Sequence, residues 1–114
     1  MKHLFIWLSA LVLTGCATAT PTLYQWGSYQ TQIYNLYSDP GKVPVEAQIE
    51  KLEAEYQTAR SANKALPPGY HAHLGYLYFQ LGRKDQSLQQ FQTEKSLFPE
   101  SAVFMDRVIA QLKK

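Results

Sequence analysis

Chemistry in a chain of this size has to come from few side chains: one cysteine (Cys16), three histidines (His3, His71 and His73) and nine carboxylates. His71 and His73 stand two apart, so on a helix their rings diverge, whereas two zinc ligands on one face need four-residue spacing. Asp85 or Glu94 would have to be recruited from elsewhere in the chain, and no metal is expected. Glu50, Glu53 and Glu55 surround Lys51 in a pattern that reads as a solvated helix face. Paired-carboxylate catalysis would need burial and a cleft instead. There is no glycine-rich phosphate loop ending in lysine and a hydroxyl residue, and no serine elbow between glycines. No enzyme and no cofactor are expected. A small envelope hydrolase built on His71 or His73 is the weakest functional reading.

The remaining reactive group is the thiol of Cys16. Lys2 and His3 precede an apolar run from Leu4 to Leu13, which closes on Thr14-Gly15-Cys16. A charged start, about 7 to 15 apolar residues and small residues at the cut compose a signal peptide, whereas a spanning helix needs about 20 apolar residues. Leu13-Thr14-Gly15-Cys16 resembles the lipobox of bacterial lipoproteins, in which the cysteine is acylated and becomes the first residue of the mature chain. That resemblance implies a signal peptide over 1–15, lipidation at Cys16 and a membrane as partner. Ala17 in place of aspartate implies the outer membrane, on its periplasmic face. A lone thiol in an exported chain cannot pair internally, and acylation accounts for it.

Processing would leave 99 of the 114 residues, enough for one domain with one modest core. Ten Lys and Arg would then face nine Asp and Glu, a formal charge of +1. Such balance supplies no basic patch for nucleic acid. Residues 16–22 read as a short tether. The aromatic-rich segment 23–41 carries Tyr24, Trp26, Tyr29, Tyr34 and Tyr37. Tyr29, Ile33, Leu36 and Tyr37 at helical spacing predict a short helix from Ser28 to Tyr37, ended by Asp39-Pro40-Gly41. Its aromatics invite a glycan-stacking reading as well as a packing one.

Residues 42–114 read as a helical domain. Val45, Ile49, Leu52, Tyr56 and Ala59 recur at steps of four and three, which predicts an amphipathic helix from Val45 to Ala62. Pro67-Pro68-Gly69 separates it from a helix from about Tyr70 to Leu81 carrying Leu74, Leu77, Tyr78 and Leu81, stopped by Gly82. A fourth helix spans Lys84 to Leu97 with Leu88, Phe91 and Leu97 on one face, and Pro99 follows. The last, Ala102 to Leu112, is expected to turn Val103, Phe104, Val108, Ile109 and Leu112 inward, with Ser101 as its N-cap.

Within these helices Leu74-Gly75 and Tyr78, then Ser87, Phe91 and Pro99, keep the register of one tetratricopeptide repeat, which this stretch resembles. His71 replaces the usual large aromatic, and Glu94 replaces a second small residue, which implies looser packing there. One repeat cannot cover its own apolar faces, so its neighbours must. The implied architecture is all-α: a short tetratricopeptide-like stack of about four main helices plus a short N-terminal one. In such repeats the docking face lies two before the Leu74 position and two, five and six after it, which implies Ala72, Tyr76, Phe79 and Gln80 as partner-binding residues.

The mature region as a whole also resembles a family of small proteobacterial lipoproteins of unknown function. The residues that carry the likeness are Tyr24-Gln25-Trp26-Gly27-Ser28-Tyr29, Pro67-Pro68-Gly69, His71-Ala72-His73-Leu74-Gly75-Tyr76 and Phe98-Pro99-Glu100-Ser101. This likeness implies an accessory role beside a lipoprotein resembling the curli secretion channel. The leading expectation is thus a membrane-anchored, non-enzymatic protein-interaction module of the cell envelope. Its rival is a peptidoglycan or glycan binder using Trp26 and the nearby tyrosines.

Overall fold

Breaker residues divide the chain where the periodicity lapses. The computed structural model describes residues 19–114. It contains helices α1 (Tyr29–Ser38), α2 (Val45–Ser61), α3 (Tyr70–Gln80), α4 (Lys84–Leu97) and α5 (Ala102–Leu112), with a 3₁₀ turn at Pro99–Ser101. No strand forms among the described residues. A single parallel bridge joins Tyr24 to Ala65, where the Gln25 amide donates to the Ala65 carbonyl at 2.8 Å. The expected signal peptide and Cys16 lie outside the described residues.

Each long helix packs on the one before it, α3 on α2, α4 on α3 and α5 on α4, so the chain is a small all-α stack. Gly82 makes the tight reversal between α3 and α4: at φ +72° it occupies the left-handed region, and Arg83 N–H returns to Tyr78 O at 3.0 Å. The core is made by Ile49, Leu52 and Ala59 of α2, Leu66 of the connection, and Tyr70, Leu74, Leu77 and Tyr78 of α3. Full burial of each large apolar side chain contributes about 1.5 to 3 kcal/mol. Tyr29, Val45, Tyr56 and Leu81 close the margins of this core.

Several side chains depart from their expected side. Tyr37, Leu97, Val103 and Phe104 are exposed, and Met105 is the buried residue of α5. Met105, Val108, Ile109 and Leu112 define the inward face of that helix. At 100° per residue, Phe104 lies roughly 90° off that face and Val103 almost opposite it. Ser101 does not cap α5. Its backbone is helical, and its Oγ donates to the Phe98 carbonyl at 2.7 Å, which ties it into the 3₁₀ turn.

Candidate functional site

Helix α3 begins at Gly69, whose φ of +90° suits glycine and whose missing side chain cannot satisfy the first amides of the helix. Glu94 reaches across from α4 to do so. Its Oε1 accepts from Gly69 N–H at 2.6 Å and its Oε2 from Ala72 N–H at 3.3 Å. The carboxylate is buried, so the substitution expected to loosen packing instead closes the end of the neighbouring helix.

The inward face of α3 is fully occupied. Tyr70 donates its hydroxyl to the Leu52 carbonyl, and Tyr78 donates to Glu53. Burial, and then the bond to Glu53, push the Tyr78 phenol up to about 12. His71 sits between the rings of Tyr56 and Tyr70, with Nδ1 2.7 Å from Gln90 Oε1. The His73 ring packs against Tyr29 with centroids 6.1 Å apart, and its buried Nε2 has no partner. Burial pushes this imidazole down to about 4. Gly75 faces Phe91 so closely that an added Cβ would lie 2.7 Å from Cε1 of that ring. Ser87 locks the same spot, its Oγ donating to Gly75 O at 2.7 Å. Leu74, Gly75, Tyr78, Ser87 and Phe91 are all buried, and Pro99 opens the 3₁₀ turn.

What α3 leaves outward is Tyr76, 41% exposed, Phe79, 46% exposed, and the exposed Gln80, beside a half-buried Ala72. Gln80 Nε2 donates to Tyr76 Oη at 2.8 Å, which fixes the tyrosine ring on the surface. Ala72, Tyr76 and Gln80 line a groove of about 790 Å³ whose far wall is Tyr29, Ile33, Leu36 and Tyr37 of α1. Phe79 turns the other way, into a cleft of about 260 Å³ with Phe91, Val108 and Leu112. Tyr76 belongs to both. The structure therefore brings three of the four expected docking residues into one groove and places Phe79 next door. Neither cavity is lined by a formally charged side chain. Helix α1 forms one wall of the groove and does not cover it.

The seating of α1 depends on Glu55, whose spacing marks it as part of a solvated face, and on the aromatics of the preceding segment. Glu55 accepts from Ser28 N–H and from Ser28 Oγ, both at 3.0 Å. A run of ring contacts links Phe98 to Tyr24, Tyr24 to Trp26, Trp26 to Tyr29 and Tyr29 to Tyr70, at centroid separations of 6.0 to 6.4 Å. Those rings hold the amino end of α1 on the stack. The glycine at the start of α3 signals that a cap must come from elsewhere, but nothing in the sequence singles out Glu94 as its source. Glu55 carried no such signal. Among the described residues no group of three or more His, Cys, Asp or Glu side chains is placed to hold a metal ion.

The element order and core from Tyr24 to Val108 fall within one family match, described as Domain of unknown function (DUF4810), over residues 23–108. The chain belongs to this family. The DUF4810 span takes in the aromatic segment, the groove and most of α5, so every residue named for the candidate site except Leu112 lies inside it. No curated protein and no solved structure matches the chain.

Proposed function

We propose that this protein is a lipid-anchored, non-enzymatic docking module that engages an envelope protein through Ala72, Tyr76, Phe79 and Gln80. The observation that carries the reading is the pair Tyr76 and Phe79. Both are large aromatics held outward on a helix whose inner face is already filled, and they front two adjoining cavities without formal charge. Exposed aromatics beside a preformed depression are favoured anchor points for a partner.

The tetratricopeptide likeness supports this choice of face, because the close approach of Gly75 to Phe91 and the Ser87 bond to Gly75 are the contacts that such a helical hairpin requires. Fold likeness alone is only an associational argument for function, so the partner must be captured directly. Our first candidate is a lipoprotein resembling the curli secretion channel. Photocrosslinkers at positions 76 and 79 in intact cells should trap one discrete partner, whereas crosslinkers at exposed positions 85 and 107 should not. Equal trapping from all four positions would contradict the reading. Anchoring is tested separately: Cys16→Ser should abolish fatty-acid labelling and move the protein out of the membrane fraction.

A further inference from the structure

We infer that the outer face of α1, carrying Tyr34 and Tyr37, lies against the lipid bilayer, so that the membrane is a second docking surface and not only the place of anchorage. This inference rests on the acylation of Cys16 proposed above.

Three observations carry it. The first is charge. Residues 17–38 contain no Asp, Glu, Lys or Arg, while the rest of the chain to Lys114 holds nine acids and ten bases. An uncharged helix approaches headgroups without the desolvation cost of a buried ion. The second is exposure. Leu23 is 78% exposed, Tyr34 70% and Tyr37 80%, the three largest values among the apolar and aromatic side chains of the described residues. Val103 at 69% and Phe104 at 64% come next, on α5, a helix that also carries Asp106 and Arg107. Tyr34 and Tyr37 are three residues apart on α1 and therefore share one side of it. Tyr34 is not part of the groove lining, whereas Tyr37 stands at the groove's rim, lining it beside Ile33 and Leu36 while its ring remains largely open to solvent. Tyrosine, with an apolar ring and a polar tip, concentrates at membrane interfaces.

The third observation is reach. From Cys16 to Leu23 there are seven residues, which extend to at most about 25 Å. The ten residues of α1 add roughly 15 Å of helix. A lipid seated in the bilayer at Cys16 therefore lets α1 reach the headgroups, and a second attachment strengthens what acyl chains begin. Helix α5 stands at the other end of the stack. The groove beside Tyr76 would then open along the membrane surface, towards a partner held in the same plane.

The test uses the full chain, produced in Gram-negative cells, processed, purified and reconstituted into phosphatidylcholine and phosphatidylglycerol vesicles. Trp7 precedes Cys16, so Trp26 is the sole tryptophan of the processed protein. In a Trp26→Phe background, Tyr34→Trp or Tyr37→Trp reports on the α1 face and Arg107→Trp on α5. With brominated acyl chains, emission from Tyr34→Trp and Tyr37→Trp should fall well below that in unbrominated vesicles, as for rings seated at the headgroup boundary, and resist aqueous acrylamide. Arg107→Trp should show the reverse. Unquenched α1 reporters, whether open to acrylamide or shielded from it by a second copy of the chain, overturn the inference. Mass measurement on the same sample separates the two readings. An acylated protein with unquenched α1 reporters leaves anchoring intact and removes the membrane face, whereas an unacylated protein removes both.

Discussion

The Glu94 carboxylate of α4 accepts the Gly69 and Ala72 amides at 2.6 and 3.3 Å, closing the amino end of α3 from a neighbouring helix. A helix start offers unpaired N–H groups and the positive end of its dipole, and a buried carboxylate answers both. This contact also holds the helix that presents Tyr76 and Phe79 in register with α4.

Glu94→Ala should therefore destabilise the domain by about 1 to 3 kcal/mol, the cost of leaving buried donors unpaired. Alanine suits the small-residue preference of the repeat that this stretch resembles, so a model based on likeness alone expects no loss. Urea unfolding of the two proteins decides between them. Glu94→Gln, which keeps an acceptor, should fall in between.

Gly75→Ala should cost about 1 to 3 kcal/mol, because the new methyl would meet Cε1 and Cδ1 of Phe91 at 2.7 and 2.8 Å. Phe91→Ala should cost about 3 to 5 kcal/mol through the cavity it leaves. In combination with Phe91→Leu the Gly75→Ala penalty should shrink, giving a coupling above roughly 0.5 kcal/mol in a double-mutant cycle. Strict additivity would show that the two sites do not touch.

Acid should unfold the protein partly through His73. Burial lowers this imidazole from 6.5 to about 4, so the unfolded state takes up a proton that the native state refuses. The stabilisation is whole above pH 6.5 and is lost as pH falls towards 4. Between pH 7 and about pH 4.5 the loss from this residue should reach about 2 to 3 kcal/mol. His73→Phe should flatten that part of the pH profile, and the difference between the two profiles isolates the imidazole from the carboxylates. Parallel profiles would place His73 in water.

Helical periodicity made all five helices legible, because each apolar stripe recurs at steps of three and four between clear breaker residues. The α2 stripe Ile49, Leu52 and Ala59 and the α3 stripe Leu74, Leu77 and Tyr78 are buried as their spacing predicts. Register set Tyr76 and Phe79 off the core stripe, but it left open whether residues 24–37 fold over them; that they stay exposed is seen only in the structure, where α1 walls the groove. The polar contacts were not legible. Glu53, Glu55 and Glu94 look alike in the sequence, yet they receive a phenol, a serine and a helix end, all more than twenty residues distant in sequence. Only the three-dimensional stack brings such pairs together. In α5, two competing apolar stripes shared the helix, and the one containing Met105 met α4.

Glu55→Ala should release α1 without unfolding the stack, since Ser28 loses both of its 3.0 Å contacts to that carboxylate while the α3–α4 pair is untouched. Hydrogen exchange should accelerate in residues 29–38 and stay unchanged in 70–97. Uniform acceleration would make α1 part of one cooperative unit with the rest.

The central claim is that Tyr76 and Phe79 serve recognition and not folding, and the double variant Tyr76→Ala with Phe79→Ala tests it most directly. Its melting temperature and its in-cell crosslinking, from a photocrosslinker at the neighbouring position 80, are read side by side with the parent. The prediction is a melt within a few degrees of the parent together with loss of the crosslinked partner. A collapsed melting temperature, or an unchanged crosslink from an intact fold, would contradict the account.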